Sequence, residues 1–178
     1  MFFVVFLACQ EQSALQGVGY GLDSPQEGVI ILSSSENQDI DTSGFEFLPE
    51  ELEVSIEVNN YRLEMELPPM TLVEEFSLLA RQHSQAMADG KVDLGHDGFR
   101  QRYHMASSVA SLQAGAENVG MNFSVDDPVG LAVSSWLSSN DHLRNIEGKY
   151  QLTGVGVAIS ESGATYFTQL FLSGELLQ

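Results

Sequence analysis

The stretch Thr153-Gly154-Val155-Gly156-Val157-Ala158-Ile159 alternates two kinds of residue. In an extended chain Val155, Val157 and Ile159 fall on one side, and Gly154, Gly156 and Ala158 on the other. The first side suits a core. The second is nearly bare backbone, which lets another element lie close against it. Ser162-Gly163 follows as a turn, and Thr165-Tyr166-Phe167-Thr168-Gln169-Leu170-Phe171 is a second strand-like run. Together they predict an antiparallel hairpin, with a further strand around Glu117 to Phe123.

Ahead of this sheet the periodicity is helical. Leu72, Phe76, Leu79, Ala80, His83 and Met87 recur on one helix face. Thr71 is the expected cap, with Glu74 completing a capping box and Gly90 as the stop. An earlier helix is expected from Pro49, with Glu50, Glu51 and Glu53 at the positive end of its dipole. Val54, Val58, Tyr61 and Met65 form its stripe, and Leu67-Pro68-Pro69 ends it. A short helix is expected from Asp97 through Tyr103. Another opens at Asp126-Asp127-Pro128, with Val129, Ala132, Val133 and Trp136 on its buried side. Helices early and sheet late give an α+β domain in layers, spanning residues 49–173, with residues 174–178 as a tail.

The bulk properties narrow the function. A chain of 178 residues, 43% hydrophobic, has room for one domain with a real core. Its net charge of −18, from 25 acidic and 7 basic residues, argues against nucleic acid as a partner and against docking on anionic lipid. With one cysteine, Cys9, neither an intramolecular disulfide nor a cysteine-based zinc site can form.

Residues 1–9, Met1-Phe-Phe-Val-Val-Phe-Leu-Ala-Cys9, are an export-like apolar leader, too short for the roughly 20 residues that span a bilayer. Phe6-Leu7-Ala8-Cys9 resembles an imperfect bacterial lipobox, with Phe6 where an aliphatic residue is expected. No Lys or Arg precedes Arg62; a truncated start would explain both defects. The expected location is extracellular or the bacterial cell envelope. Any membrane attachment would then run only through a lipid on Cys9. Residues 10–48 read as an acidic, Ser- and Gly-rich spacer, interrupted by Val29-Ile30-Ile31-Leu32.

Three ionisable residues sit at joins between elements, where sites are usually built. His96 lies in Gly95-His96-Asp97-Gly98-Phe99, Glu117 in Gly115-Ala116-Glu117-Asn118-Val119, and His142 follows the Trp136 helix. Imidazoles and a carboxylate suit both a zinc site and acid–base work, but their spacing forms no compact metal motif. His83, on an apolar stripe, reads as a core histidine, and His104 as structural.

A longer set of stretches runs in order along the chain. It comprises Asn60-Tyr61-Arg62, Leu67-Pro68-Pro69-Met70, Ala80-Arg81-Gln82-His83-Ser84, Gly95-His96-Asp97-Gly98-Phe99 and Ala116-Glu117-Asn118-Val119. Ala132 with Trp136, His142 with Asn145-Ile146, Thr153 to Ala158, Tyr166-Phe167 and Gln169-Leu170-Phe171 complete it. From Val58 to Phe171 this set resembles a CAP domain, the superfamily of cysteine-rich secretory proteins, antigen 5 and plant pathogenesis-related proteins, in its disulfide-free bacterial branch. The resemblance implies a three-layer α-β-α sandwich with a central antiparallel sheet. It also implies a cleft lined by two histidines and two acids that can hold a divalent metal, zinc being the expected one. His96 and His142 match the histidines and Glu117 the first acid. Ser139 stands where the second acid is expected, and a hydroxyl cannot replace a carboxylate.

That departure favours a non-catalytic binding module for a small apolar ligand or an envelope component, with His96, His142 and Glu117 as the metal set. The alternatives are a metal-dependent hydrolase or peptidase with Glu117 as the base, and a purely structural cleft.

Overall fold

The glycine-rich run and its partner form the expected hairpin. β3 (Leu152–Ile159) pairs antiparallel with β4 (Ala164–Leu176), Gly154 opposite Leu170 and Gly156 opposite Thr168. β4 in turn pairs antiparallel with β2 (Ala110–Phe123) along its length. These relations come from a computed structural model that describes residues 40–178; the leader with Cys9 and the Val29–Leu32 patch lie outside the described residues.

The strand order is β1-β3-β4-β2, where β1 is only Thr71–Leu72 and runs parallel to β3. This short strand corrects one expectation. Thr71 does not cap a helix: its N–H bonds to the Gln151 carbonyl, and Val73 N–H bonds to Thr153. Those bonds draw residues 71–73 into the sheet, so the helix begins two residues later. It is α2 (Glu74–Ala88), with Val73 as its N-cap and no side-chain cap. Gly90 follows in the left-handed region at φ 67°, where glycine is cheap.

The helices cover both faces. α1 (Pro49–Glu64), α4 (Pro128–Leu137) and α5 (Asn140–Ile146) pack over Val155, Val157, Phe167 and Phe171. α2 and α3 (Phe99–Ala106) pack over Leu152, Leu170 and Leu172. Asp127 caps α4 by accepting from Gly130 N–H, as the Asp-Pro start predicts. α3 starts at Phe99 rather than at Asp97, because Gly98 is left-handed at φ 77°. Along α1, Val54 and Val58 are fully buried, but Met65, expected on the same stripe, is 50% exposed. The helix has already ended there, with Met65 as its C-cap.

Both open sheet edges are closed by side chains. On β3, the N–H groups of Val155 and Val157 donate to Ser77 Oγ of α2 and Glu51 Oε1 of α1. On β2, the carbonyls of Glu117 and Val119 accept from Asn145 Nδ2 and Trp136 Nε1. Each pair of groups is two residues apart, the repeat at which strand backbone faces one edge. The last residues of the acidic stretch also belong to this packing. Ile40 lies against the α2/α3 core, and Phe45 lies under the Arg81 guanidinium, 4.2 Å from ring centroid to Cζ. At the other end β4 continues to Leu176.

The close approach expected at the small-residue face belongs to α2. A Cβ on Gly156 would meet the backbone of Ala80 and Arg81 far inside contact distance, and one on Gly154 would meet the backbone of Phe76. Gly156→Ala should therefore cost about 3 kcal/mol or more, at the upper end of core overpacking, read from urea unfolding. Gly163→Ala, with open space around its Cβ but a left-handed φ of 85°, should cost roughly 1 kcal/mol.

Candidate functional site

β2 carries the centre of the site. Glu117 and Asn118 are successive residues, so their side chains leave opposite faces of the strand. Glu117 turns toward α3, where Arg102 grips it. Arg102 Nε donates to Oε2 at 2.8 Å and Nη2 to Oε1 at 2.8 Å, the two-pronged geometry that makes arginine–carboxylate pairs strong. Glu117 is 5% exposed and Arg102 8%, so the charge pair is held away from water and each partner depends on the other.

His96 completes the cluster. Its Nδ1 lies 2.9 Å from Glu117 Oε1. The carboxylate paired with arginine accepts, so His96 Nδ1 is the donor of this bond. The loop that presents His96 is fixed from two directions. His83 Nε2 donates to the Gly95 carbonyl at 2.7 Å, and Arg102 Nη1 donates to the Asp97 carbonyl at 2.8 Å.

Asn118 turns to the other face. Its Nδ2 donates to the backbone carbonyl of His142, and its Oδ1 accepts from Asn145 Nδ2. His142 lies within α5 rather than in a loop; it is 2% exposed, with its ring tilted against Trp136 at 6.5 Å. The structure thus joins His96 directly to Glu117, and anchors the His142 backbone to the residue beside it. Ser139 is the N-cap of α5. With Ser134, Ser135 and Ser138 it lines a shallow depression of about 290 Å³. Among the described residues, no group of three or more His, Cys, Asp or Glu side chains is arranged to hold a metal ion.

Two members of the cluster go beyond the residues singled out from sequence. Arg102 carried no signal beyond being one of 7 basic residues in the chain. His83 was visible only as a histidine on an apolar face. It is buried, and burial first, then the nearby Arg102 charge, pushes its pKa below the ordinary histidine value. His104 is exposed on α3.

The chain matches the model of a family described as CAP: Cysteine-rich secretory protein family, over residues 56–171. No curated protein sequence matches it. Among solved structures, it is similar to an outer surface protein of Borrelia burgdorferi, at 16% identity and TM-score 0.59, covering 76% of this chain and 97% of that one. It is also similar to an extracellular protein containing a SCP domain from Bacillus anthracis, at 20% identity and TM-score 0.55, covering 72% of this chain and 45% of that one. A cysteine-rich secretory protein of Staphylococcus aureus matches at 18% identity and TM-score 0.55, over 70% of this chain and 38% of that one. At these identities the likeness shows the shared α-β-α fold alone.

Two outcomes follow from the cluster. Arg102→Met leaves Glu117 buried without its counter-charge and should cost about 3–5 kcal/mol; adding Glu117→Met should recover much of the loss, since the pair rather than either partner is what can be replaced. Because His83 is harder to protonate in the fold than in the unfolded chain, the unfolded chain binds more protons as pH falls through the ordinary histidine value. Stability should therefore fall as pH drops from 7 to about 5.5. His83→Gln should flatten that slope in melting-temperature measurements.

Proposed function

The chain belongs to the cysteine-rich secretory protein (CAP) family, and on that premise we propose that it is a non-catalytic extracellular or envelope-displayed binding domain whose His/Glu cleft is closed by its own arginine. The observation that carries this reading is the double hydrogen bond from Arg102 to Glu117. Both oxygens of the one carboxylate in the set are engaged by a fixed positive charge, and His96 takes a further bond on Oε1. A divalent cation approaching those oxygens would meet the guanidinium. The donors as arranged do not suit a resident metal.

The same contacts speak against hydrolysis. A general base needs an oxygen free to take a proton, and both oxygens of Glu117 are already bonded to Arg102, with His96 on one of them as well. Ser139 offers no second carboxylate. The cluster therefore serves to hold the 95–99 loop and the β2 edge in place. Export fits the names of the structural neighbours and the apolar run ending at Cys9. Among the described residues no helix is long and apolar enough to cross a membrane.

Zinc provides the test. A ligand that prefers the folded state raises the melting temperature. Zinc in excess at neutral pH should leave the melting temperature of the untagged protein within about 1 °C, since no preferential binding is expected. A saturable rise that disappears in both His96→Ala and His142→Ala would overturn the arginine-closed cleft in favour of a metal site.

A further inference from the structure

α1 presents an apolar stripe that nothing among the described residues covers. Ile56 is 58% exposed, Leu63 56%, Leu52 42% and Leu48 38%. At 100° per residue, Leu52, Ile56 and Leu63 project within about 40° of one another, so they form one line along the helix rather than scattered exposures. Along one flank of that line Glu53, Glu57 and Glu64 form an acidic ridge. Burial first, then the charges of Asp127 and Glu53, raise the Glu57 carboxyl above its ordinary value, so the ridge is crowded with like charge. The single basic residue of α1, Arg62, is buried and donates to the carbonyls of Pro68, Ile146 and Gly148.

From this charge pattern we infer that the α1 face docks a cationic amphipathic segment of another protein, its apolar side on Leu52, Ile56 and Leu63 and its Lys or Arg side on the glutamate ridge. The sign of the charge selects this occupant. A second copy would bring a second glutamate ridge and no exposed cation on its α1 to pair with the first. The chain's own residues 1–39 contain no Lys or Arg and do contain Glu11, Asp23, Glu27, Glu36 and Asp39. An anionic lipid surface would be repelled in the same way. Anchors at i, i+4 and i+11 over roughly three turns match the way an amphipathic helix lies along an apolar strip.

This inference uses no residue of the His/Glu cleft, so it stands or falls apart from the reading proposed above. The probe is a synthetic Leu/Lys peptide of about 18 residues with helical amphipathic order, titrated calorimetrically into the full chain near physiological salt. A control peptide has the same composition in scrambled order. Any cationic peptide feels a chain of this charge, so order is what matters. The ordered peptide should bind at least roughly tenfold more tightly than the scramble. Ile56→Ser with Leu63→Ser, both on exposed positions, should remove that advantage, as expected for loss of two buried apolar anchors. Glu53→Gln with Glu64→Gln should make the affinity less sensitive to salt. Equal binding of the two peptides, or unchanged binding by the serine variant with an unchanged melting temperature, would overturn the proposal.

Discussion

The rest of the molecule depends on the contact between the α2 backbone and Gly156. Because position 156 has no side chain, Ala80 and Arg81 rest directly on the sheet. Ser84, one turn along, then reaches the Gly156 carbonyl and Thr168 Oγ1, and Ser77, one turn back, accepts from Val155 N–H. A helix held that close has fixed side-chain directions on its flanks. Arg81 is turned outward to Glu51, and His83 toward the 95–99 loop. The seating of α2 thus sets both the start of α1 and the loop that bears His96.

Glu51 shows how tightly these consequences are tied. Its carboxylate is fully buried, yet it accepts from Leu48 N–H at the start of α1, from Val157 N–H on the β3 edge, and twice from Arg81. One side chain therefore closes a helix end, a sheet edge and a charge pair, each of which would otherwise leave a buried polar group unsatisfied. Arg102 does the parallel work at the opposite edge of the sheet, and Arg62 joins α1 to the loop before β3. Three of the chain's 7 basic residues are therefore engaged inside the fold. Lys91 and Arg144 are paired with Asp89 and Asp141 at the surface. The outward field is accordingly more one-sided than the composition suggests, and this gives the glutamates of α1 their meaning.

The fold was legible wherever one face of an element is apolar. The Val155/Val157 alternation, the α2 stripe and the Asp127-Pro128 start all lie in local spacing, and the close approach at Gly154 and Gly156 lay in the absence of side chains. Thr71 misled because its backbone bonds to Gln151, some eighty residues away, and long-range pairing overrides a local capping pattern. The candidate site was legible in His96 and Glu117 and not in Arg102. Glycines flagged the His96 loop, the joins between elements flagged Glu117 and His142, and the family resemblance grouped the three in one cleft. Arg102 has no comparable mark: its function exists only because α3 lies over the outward turn of Glu117, which is a fact about packing between elements.

The arginine at 102 then has a plain physical reading. A buried cluster is tolerable when its charges balance. Here Glu117 contributes one negative charge and Arg102 one positive, while burial and that same arginine make His83 harder to protonate. With Arg102 paired to Glu117 the balance is met by the chain itself. Arg102 thus fixes the buried carboxylate of Glu117 and, through the Asp97 carbonyl, the loop that presents His96 to it.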